Sequence, residues 1–423
     1  MTRGRTGLSE EIRMKKGLRC HICTGCGLCP GITPGGSSAG NLHVLDEDAL
    51  LGERQSLPAG EIRLAVADIG TTTVAMLLYE KDGSVADRFV AVNPQTVYGA
   101  DVISRIQAAG DRAVAEKMRE MILDILRQGL GRFAQKLAPD EQLQLFLAAN
   151  TTMTYLLTGQ DTSELGHAPF HASHLSAIQT KVEDVPCFVF PGMSAFVGGD
   201  ITAGIYACGM ARKEELTLFI DLGTNGEMVL GNRHRRIACA TAAGPAFEGG
   251  VNRGIWGADM VNFLATLRKR GIVDETGLMA DPYFDCGIRI GNVRVTKEAV
   301  RSVQLAKGAV AAGVEVLLDK YGITAEQVDR VVLAGGFGYY LKPEDAAEVG
   351  LLPERLAKKA LSGGNTVLSG GLAAGREFLS GRTVQNIAGV LEQLASETEI
   401  VNLAEEPSFE KYYICLINLK KTV

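Results

Sequence analysis

Two stretches of the chain are almost continuously apolar and are interrupted in the same way. IRLAVADIGTTTVAMLLYEKDGSVADRFV (62–90) runs apolar to Asp68, breaks at a Gly-Thr turn, resumes, breaks at Lys81-Asp82-Gly83 and resumes again. Short apolar runs bounded by turn residues predict three strands in a meander. LTLFIDLGTNGEMVLGNRHRRIACAT (216–241) repeats the sequence of strand, Asp-Leu-Gly-Thr turn, strand and turn. A supersecondary unit that recurs once predicts two lobes of like construction, with the ligand between them. VDRVVLAGG (328–336) reads as a further strand, ITAGIYACGM (201–210) as a helix, and residues 390–419 as helix, strand and helix closing across the lobes. Residues 31–61, rich in Gly, Ser and Pro with little periodicity, read as a linker. The expected organisation is a cysteine-bearing segment and linker at 1–60, a first lobe at 61–215, a second at 216–385 and a final helix-strand-helix at 386–423.

With 423 residues, 46% of them hydrophobic, the chain is long enough for more than one core. Its formal net charge of −6 offers no basic field for a nucleic-acid backbone or an anionic membrane. No stretch of eighteen uninterrupted apolar residues occurs, and the basic N-terminus has no apolar run after it, so a cytoplasmic protein is expected. The fifty glycines change the picture more than the averages do, because many fall in DIGTTT, GGD, DLGTNGE and AGGFG at the ends of apolar runs. Glycines at strand ends allow close backbone approach to a ligand. Any one cluster reads equally well as a turn; four in order carry more weight.

Four of the nine cysteines, Cys20, Cys23, Cys26 and Cys29, crowd into CHICTGCGLCP. The odd total and the clustering argue against a disulfide framework. Thiolates at every third residue, interleaved with Gly25 and Gly27, can wrap one compact inorganic core, for which a [4Fe–4S] cluster is the natural guest. The run is similar to the bacterial ferredoxin motif but has two residues, not three, before its last cysteine. Either all four bind one cluster, or ligands come from elsewhere or from a second subunit in a homodimer. Structural zinc is the rival, although two CxxC pairs normally need a longer loop between them. Cys187, Cys208, Cys239, Cys286 and Cys415 sit in apolar settings and are expected to be buried hydrophobes.

The two Asp-Gly-Thr turns supply backbone N–H groups and hydroxyls suited to phosphate oxygens. Asp68, Gly70, Thr71, Thr72 and Thr73 form the first set, and Asp221, Gly223, Thr224, Asn225 and Gly226 the second. Two carboxylates facing each other suit a hydrated Mg²⁺, and Glu227 either orients an attacking water or simply begins a strand. Asp200 reads as a metal-site acid or as a helix N-cap. Asn150, Thr151 and Thr152 open a helix-like stretch and read as caps, and Asp101 with Arg105 as an i,i+4 ion pair. His167, His171 and His174 are interrupted by Pro169 and read as loop rather than as a zinc site.

DIGTTT, VGGDITAG, DLGTNGE and VVLAGGFG resemble, in order, the first phosphate, connecting, second phosphate and adenosine motifs of the actin, sugar-kinase and heat-shock ATPase superfamily. That resemblance implies an α/β fold with two ribonuclease H-like lobes, ATP with Mg²⁺ in the cleft, Gly335, Gly336 and Phe337 at the adenosine, and Asn150, Thr151 and Thr152 bordering either the γ-phosphate or the partner surface. Gly244 and Glu248 are placed beside the nucleotide from the second lobe. NPQTVYGADVISRI (93–106), ANTTMTYLLTG (149–159), AAGPAFEGG (242–250) and AKGAVAAGVEVLL (306–318) are similar to the narrower family of reductive activators of corrinoid proteins. The chain departs from that family at its N-terminus, where members have a longer plant-type [2Fe–2S] domain. The resemblance implies ATP-driven electron transfer from an iron–sulfur cluster to a cobalt(II) corrinoid protein, with ferredoxin or flavodoxin as the low-potential donor. A radical-dehydratase activator, a small-molecule kinase of the same fold and a zinc-holding ATP sensor are the competing readings.

Overall fold

The computed structural model describes residues 57, 61–223, 225–243, 257–290, 293–335, 338 and 341–422. Cys20, Cys23, Cys26 and Cys29, together with Thr224, Gly244, Glu248, Gly336 and Phe337, lie outside the described residues. The first lobe contains β1 (Ile62–Ile69), β2 (Thr73–Tyr79), β3 (Val85–Val92), α1 (Val102–Ala109), α2 (Arg112–Ala134), β4 (Gln142–Ala149), α3 (Thr151–Thr158), β5 (Ile178–Val182), β6 (Val185–Val189) and α4 (Gly199–Ala207). The second contains β7 (Thr217–Leu222), β8 (Gly226–Gly231), β9 (Arg236–Thr241), the small hairpin β10 (Ile288–Ile290) and β11 (Val293–Val295), α5 (Lys297–Tyr321), β12 (Arg330–Ala334), β13 (Ala360–Gly364), α6 (Thr366–Leu379), α7 (Val384–Ser396), β14 (Thr398–Ile400) and α8 (Pro407–Leu416).

The two six-stranded sheets run β3-β2-β1-β4-β6-β5 and β13-β12-β7-β8-β9-β14. In each lobe an antiparallel meander comes first. A fourth strand, β4 or β12, then pairs parallel with the meander's first strand, and a fifth, β6 or β13, pairs parallel with the fourth. The sequence repeat is thus a repeat of topology. Each lobe adds a different edge: β5 folds back on β6, and β14 pairs parallel with β9.

Both faces of each sheet are covered, which explains why the central strands carry consecutive apolar residues rather than alternating ones. On β1, Ala65 and Ala67 pack outward with Met118, Ile122 and Phe133 of α2, whereas Leu64 and Val66 face inward. On β7, Leu218 and Ile220 pack outward with Val310, Val314 and Leu317 of α5, whereas Phe219 faces inward. The inward faces share one core with Ile201 and Ile205 of α4, Leu368 and Leu372 of α6, and Ile387 and Leu391 of α7. The layers are therefore helix, sheet, helices, sheet, helix. Within the middle layer α4 and α6 meet almost without side chains: a Cβ on Gly370 would lie 2.2 Å from the Ala203 carbonyl oxygen, and one on Gly204 would lie 2.5 Å from Phe219 of the other lobe. Among the described residues no helix is long and apolar enough to cross a membrane.

Candidate active site

Asp68 is the penultimate residue of β1, and the chain after it turns tightly, the Gly70 N–H donating to the Thr73 carbonyl at 2.9 Å. The carbonyls of this turn are held from one side. Asn93 Nδ2 donates to Gly70 O at 2.9 Å, Arg105 Nη2 to Thr71 O at 2.5 Å, and the Asn93 N–H to Thr72 O at 2.8 Å. Asn150 Nδ2 reaches the Thr71 hydroxyl at 3.2 Å while its Oδ1 caps α3 by accepting from the Met153 N–H at 2.9 Å. Asn150 thus serves both as the cap and as a support of the loop. Thr151 is turned away, its hydroxyl donating to Ser194 O at 2.6 Å.

The second loop is a two-strand turn closed by the Gly223 N–H on Asn225 O at 2.9 Å. Cross-strand pairing of β7 with β8 sets Asp221 directly opposite Glu227, and cross-strand partners in a sheet carry their side chains on the same face. Gly226 packs against α5, where a Cβ would come within 3.0 Å of Val310.

Four carboxyl groups from the two lobes interact here. Burial pushes the Asp68 carboxyl up to about 7, against a hydrogen bond from Asn365 that lowers it, and Asp200 raises it further. Burial, then the charges of Asp200 and Asp68, push Asp221 up to about 8. Asp200 is raised by burial, and Glu227 by burial together with Asp200 and Asp221. Like charges gathered in a shielded cleft each disfavour ionisation of the others, so the donor set fits a divalent cation. Among the described residues no three His, Cys, Asp or Glu side chains converge into a group able to hold an ion by themselves. A hydrated Mg²⁺ takes one or two carboxylates together with phosphate oxygens, and Asp68 and Asp221 are the pair that could serve it.

Three sequence expectations change. Asp200 is not the N-cap of α4: Gly198 is, without a side-chain bond, and Asp200 sits in the first turn, its Oδ1 accepting from the Ile201 N–H at 2.8 Å. Gly198 occupies the cap because a Cβ there would lie 2.6 Å from both Asn150 Cα and the Thr151 nitrogen. Arg105, read as the ion-pair partner of Asp101, is instead fully buried and directed at the Thr71 and Gly99 carbonyls, while Asp101 caps α1 through the Ser104 N–H. Cys187, Cys208 and Cys239 are buried, but Cys286 and Cys415 are exposed. Cys415 lies on α8, a surface helix without a buried residue, and Cys286 ends a four-residue helix before Gly287. His167, His171 and His174 are exposed in the loop that precedes β5.

Gly335 lies beside Asp221. It adopts φ +78°, and a Cβ there would come within 2.5 Å of Asp221 Oδ1 and 2.8 Å of the Leu222 carbonyl. The structure thus requires a bare backbone at this position. Asn365 drew no notice in the sequence, yet its Nδ2 donates to Asp68 Oδ2 at 2.7 Å.

The RACo middle region matches residues 64–213, and the C-terminal domain of RACo, the ASKHA domain, matches 215–253 and 251–423. The chain belongs to the RACo family. Its two-lobed fold is the ASKHA fold expected from the motifs. The chain is 29% identical to a corrinoid activation enzyme, RamQ, of Eubacterium limosum, over 82% of this chain and 68% of the relative. It is 20% identical to a [Co(II) methylated amine-specific corrinoid protein] reductase of Methanosarcina barkeri, over 82% of this chain and 75% of that protein. A solved reductive activator for a corrinoid, iron-sulfur protein matches with a TM-score of 0.74 and 28% identity, over 86% of this chain and 67% of that one.

Proposed function

We propose that this RACo-family chain is an ATP-dependent reductive activator that returns the cobalt(II) corrinoid of a partner protein to cobalt(I). The observation that carries the reading is the cleft itself, in which two braced phosphate turns and four mutually repelling carboxyl groups meet across two hinged lobes. The names of the relatives supply the acceptor's chemistry. Asp68 and Asp221 would hold the water shell of a Mg²⁺, which would supply positive charge against the phosphates of ATP. The turns at Gly70–Thr73 and Gly223–Gly226 orient those phosphates. Glu227, with Asp200, accepts hydrogen bonds from the attacking water and takes its proton as the γ-phosphate leaves ADP. Loss of that phosphate removes what binds the lobes together, and the cleft opens about the α4–α6 crossing.

Cys20, Cys23, Cys26 and Cys29 are the ligands for a [4Fe–4S] cluster, which supplies a one-electron relay between a ferredoxin- or flavodoxin-like donor and the corrinoid. A homodimer that shares or pairs its clusters belongs to the same reading.

The test is electron paramagnetic resonance of anaerobically purified, dithionite-reduced protein, with iron, sulfide and zinc assayed on the same sample. A reduced-cluster signal lost in Cys23→Ala and Cys26→Ala, followed by ATP-dependent bleaching of a cobalt(II) corrinoid protein to the cobalt(I) spectrum, is expected. Zinc without iron would sink the electron-transfer reading.

A further inference from the structure

The strand β13 ends at Gly364, and Asn365 begins α6 as its N-cap. Its side-chain Oδ1 accepts from the Leu368 N–H at 2.9 Å, and its Nδ2 donates to Asp68 Oδ2 at 2.7 Å, joining residues 297 apart in the chain. Asn365 is 7% exposed, so both bonds are shielded from water. Capping alone does not explain the residue, because Ser, Thr and Asp cap a helix about as well as Asn. Among these, only an amide accepts from the helix with one atom while presenting a fixed donor to a carboxylate with the other. A hydroxyl on the shorter Ser or Thr side chain falls short of that reach, and a carboxylate would repel Asp68. The identity of residue 365 therefore answers to Asp68, in the opposite lobe, rather than to its own helix.

We propose that Asn365 is a positioning residue of the cation site: it fixes the orientation of the Asp68 carboxylate from across the cleft, leaving Asp68 Oδ1 to face the water shell of the nucleotide's metal. This rests on the reading of the cleft as a Mg²⁺–nucleotide site. It also makes α6 part of the site. The helix that crosses α4 at Gly370 begins at a residue bonded to Asp68, while α4 begins beside Asp200, so both crossing helices start at the carboxyl cluster.

The test uses the full chain and the variants Asn365→Ser and Asn365→Thr, which keep the cap and delete the donor, with Asn365→Ala, which deletes both. Mn²⁺ binding in the presence of a non-hydrolysable ATP analogue is read from the electron paramagnetic resonance of unbound Mn²⁺, alongside melting temperature and steady-state ATP hydrolysis. Asn365→Ser and Asn365→Thr are expected to melt with the wild type, to bind Mn²⁺ about tenfold more weakly and to lose about tenfold in kcat with KM for ATP little changed. Asn365→Ala is expected to show the same functional loss and, in addition, a lower melting temperature. Serine and threonine variants that bind Mn²⁺ and turn over as the wild type does would overturn the proposal. Wild-type protein that binds Mn²⁺ with the analogue but hydrolyses no ATP would sink the hydrolytic reading while the Mn²⁺ arm still decides the role of Asn365. No binding at all would overturn both.

Discussion

The two lobes repeat one topology and brace the turns after β1 and β7 by different means. In the first, polar side chains from three separate segments hold the turn, Asn93 and Arg105 by its carbonyls and Asn150 by a hydroxyl. In the second, the turn is closed by its own backbone and wedged on α5 at Gly226, and the acids Asp221 and Glu227 stand opposite each other on adjacent strands. Hydrogen-bonded supports are directional and fix an orientation. Close packing against a helix fixes a position and leaves the strand ends available for carboxylates.

The contrast can be broken most severely in the second lobe. Asp221→Asn is expected to lower ATP hydrolysis at least about 100-fold, since it removes a charge that holds the metal's water shell and leaves the shape unchanged; kcat by phosphate release checks it. Gly335→Ala forces a side chain against Asp221 Oδ1 at a positive φ, and is expected to cost about 1–3 kcal/mol of stability in urea unfolding. In the first lobe Arg105→Lys keeps the charge but loses the fork that spans the Thr71 and Gly99 carbonyls. An approximately tenfold rise in KM for ATP, larger than the change in kcat, is the expected result.

The smallest effect sharpens the comparison through pH. Asp221 ionises less readily folded than unfolded, so its contribution to stability is fully present below the unfolded value of 3.8 and is lost as pH rises toward about 8. Asparagine carries no such loss. In the absence of nucleotide, Asp221→Asn is therefore expected to melt above wild type by about 2 °C or more at pH 8, with the gap closing toward pH 4. A gap of constant size across that range would show that the acid cluster is not what destabilises the empty cleft.

Much of this was legible in the sequence because apolar runs and glycines report local requirements. The paired meanders survive in the structure, as does the final helix-strand-helix, whose α7 enters the middle core while β14 joins the second sheet. What the sequence withheld depends on direction and on distance. The i,i+4 rule paired Arg105 with Asp101, but Asp101 is occupied by the start of its own helix, and the guanidinium points inward to the turn. The rule for N-caps pointed to Asp200, but the backbone of Asn150 and Thr151 comes too close for any residue except glycine at the cap. Asn365 had no local signal at all, since its partner lies 297 residues away. An apolar neighbourhood also misjudged Cys415, whose helix rests on α5 with its sulfur outward.

The bare crossing of α4 and α6 offers an experimental handle independent of the chemistry. A single methyl at Gly370 must displace the backbone at Ala203, so Gly370→Ala acts as a wedge driven in at the pivot. Such a chain keeps every side chain of the cleft and must shift where the two helices cross. Comparing its turnover with that of the parent would show whether activity depends on how closely these two helices cross.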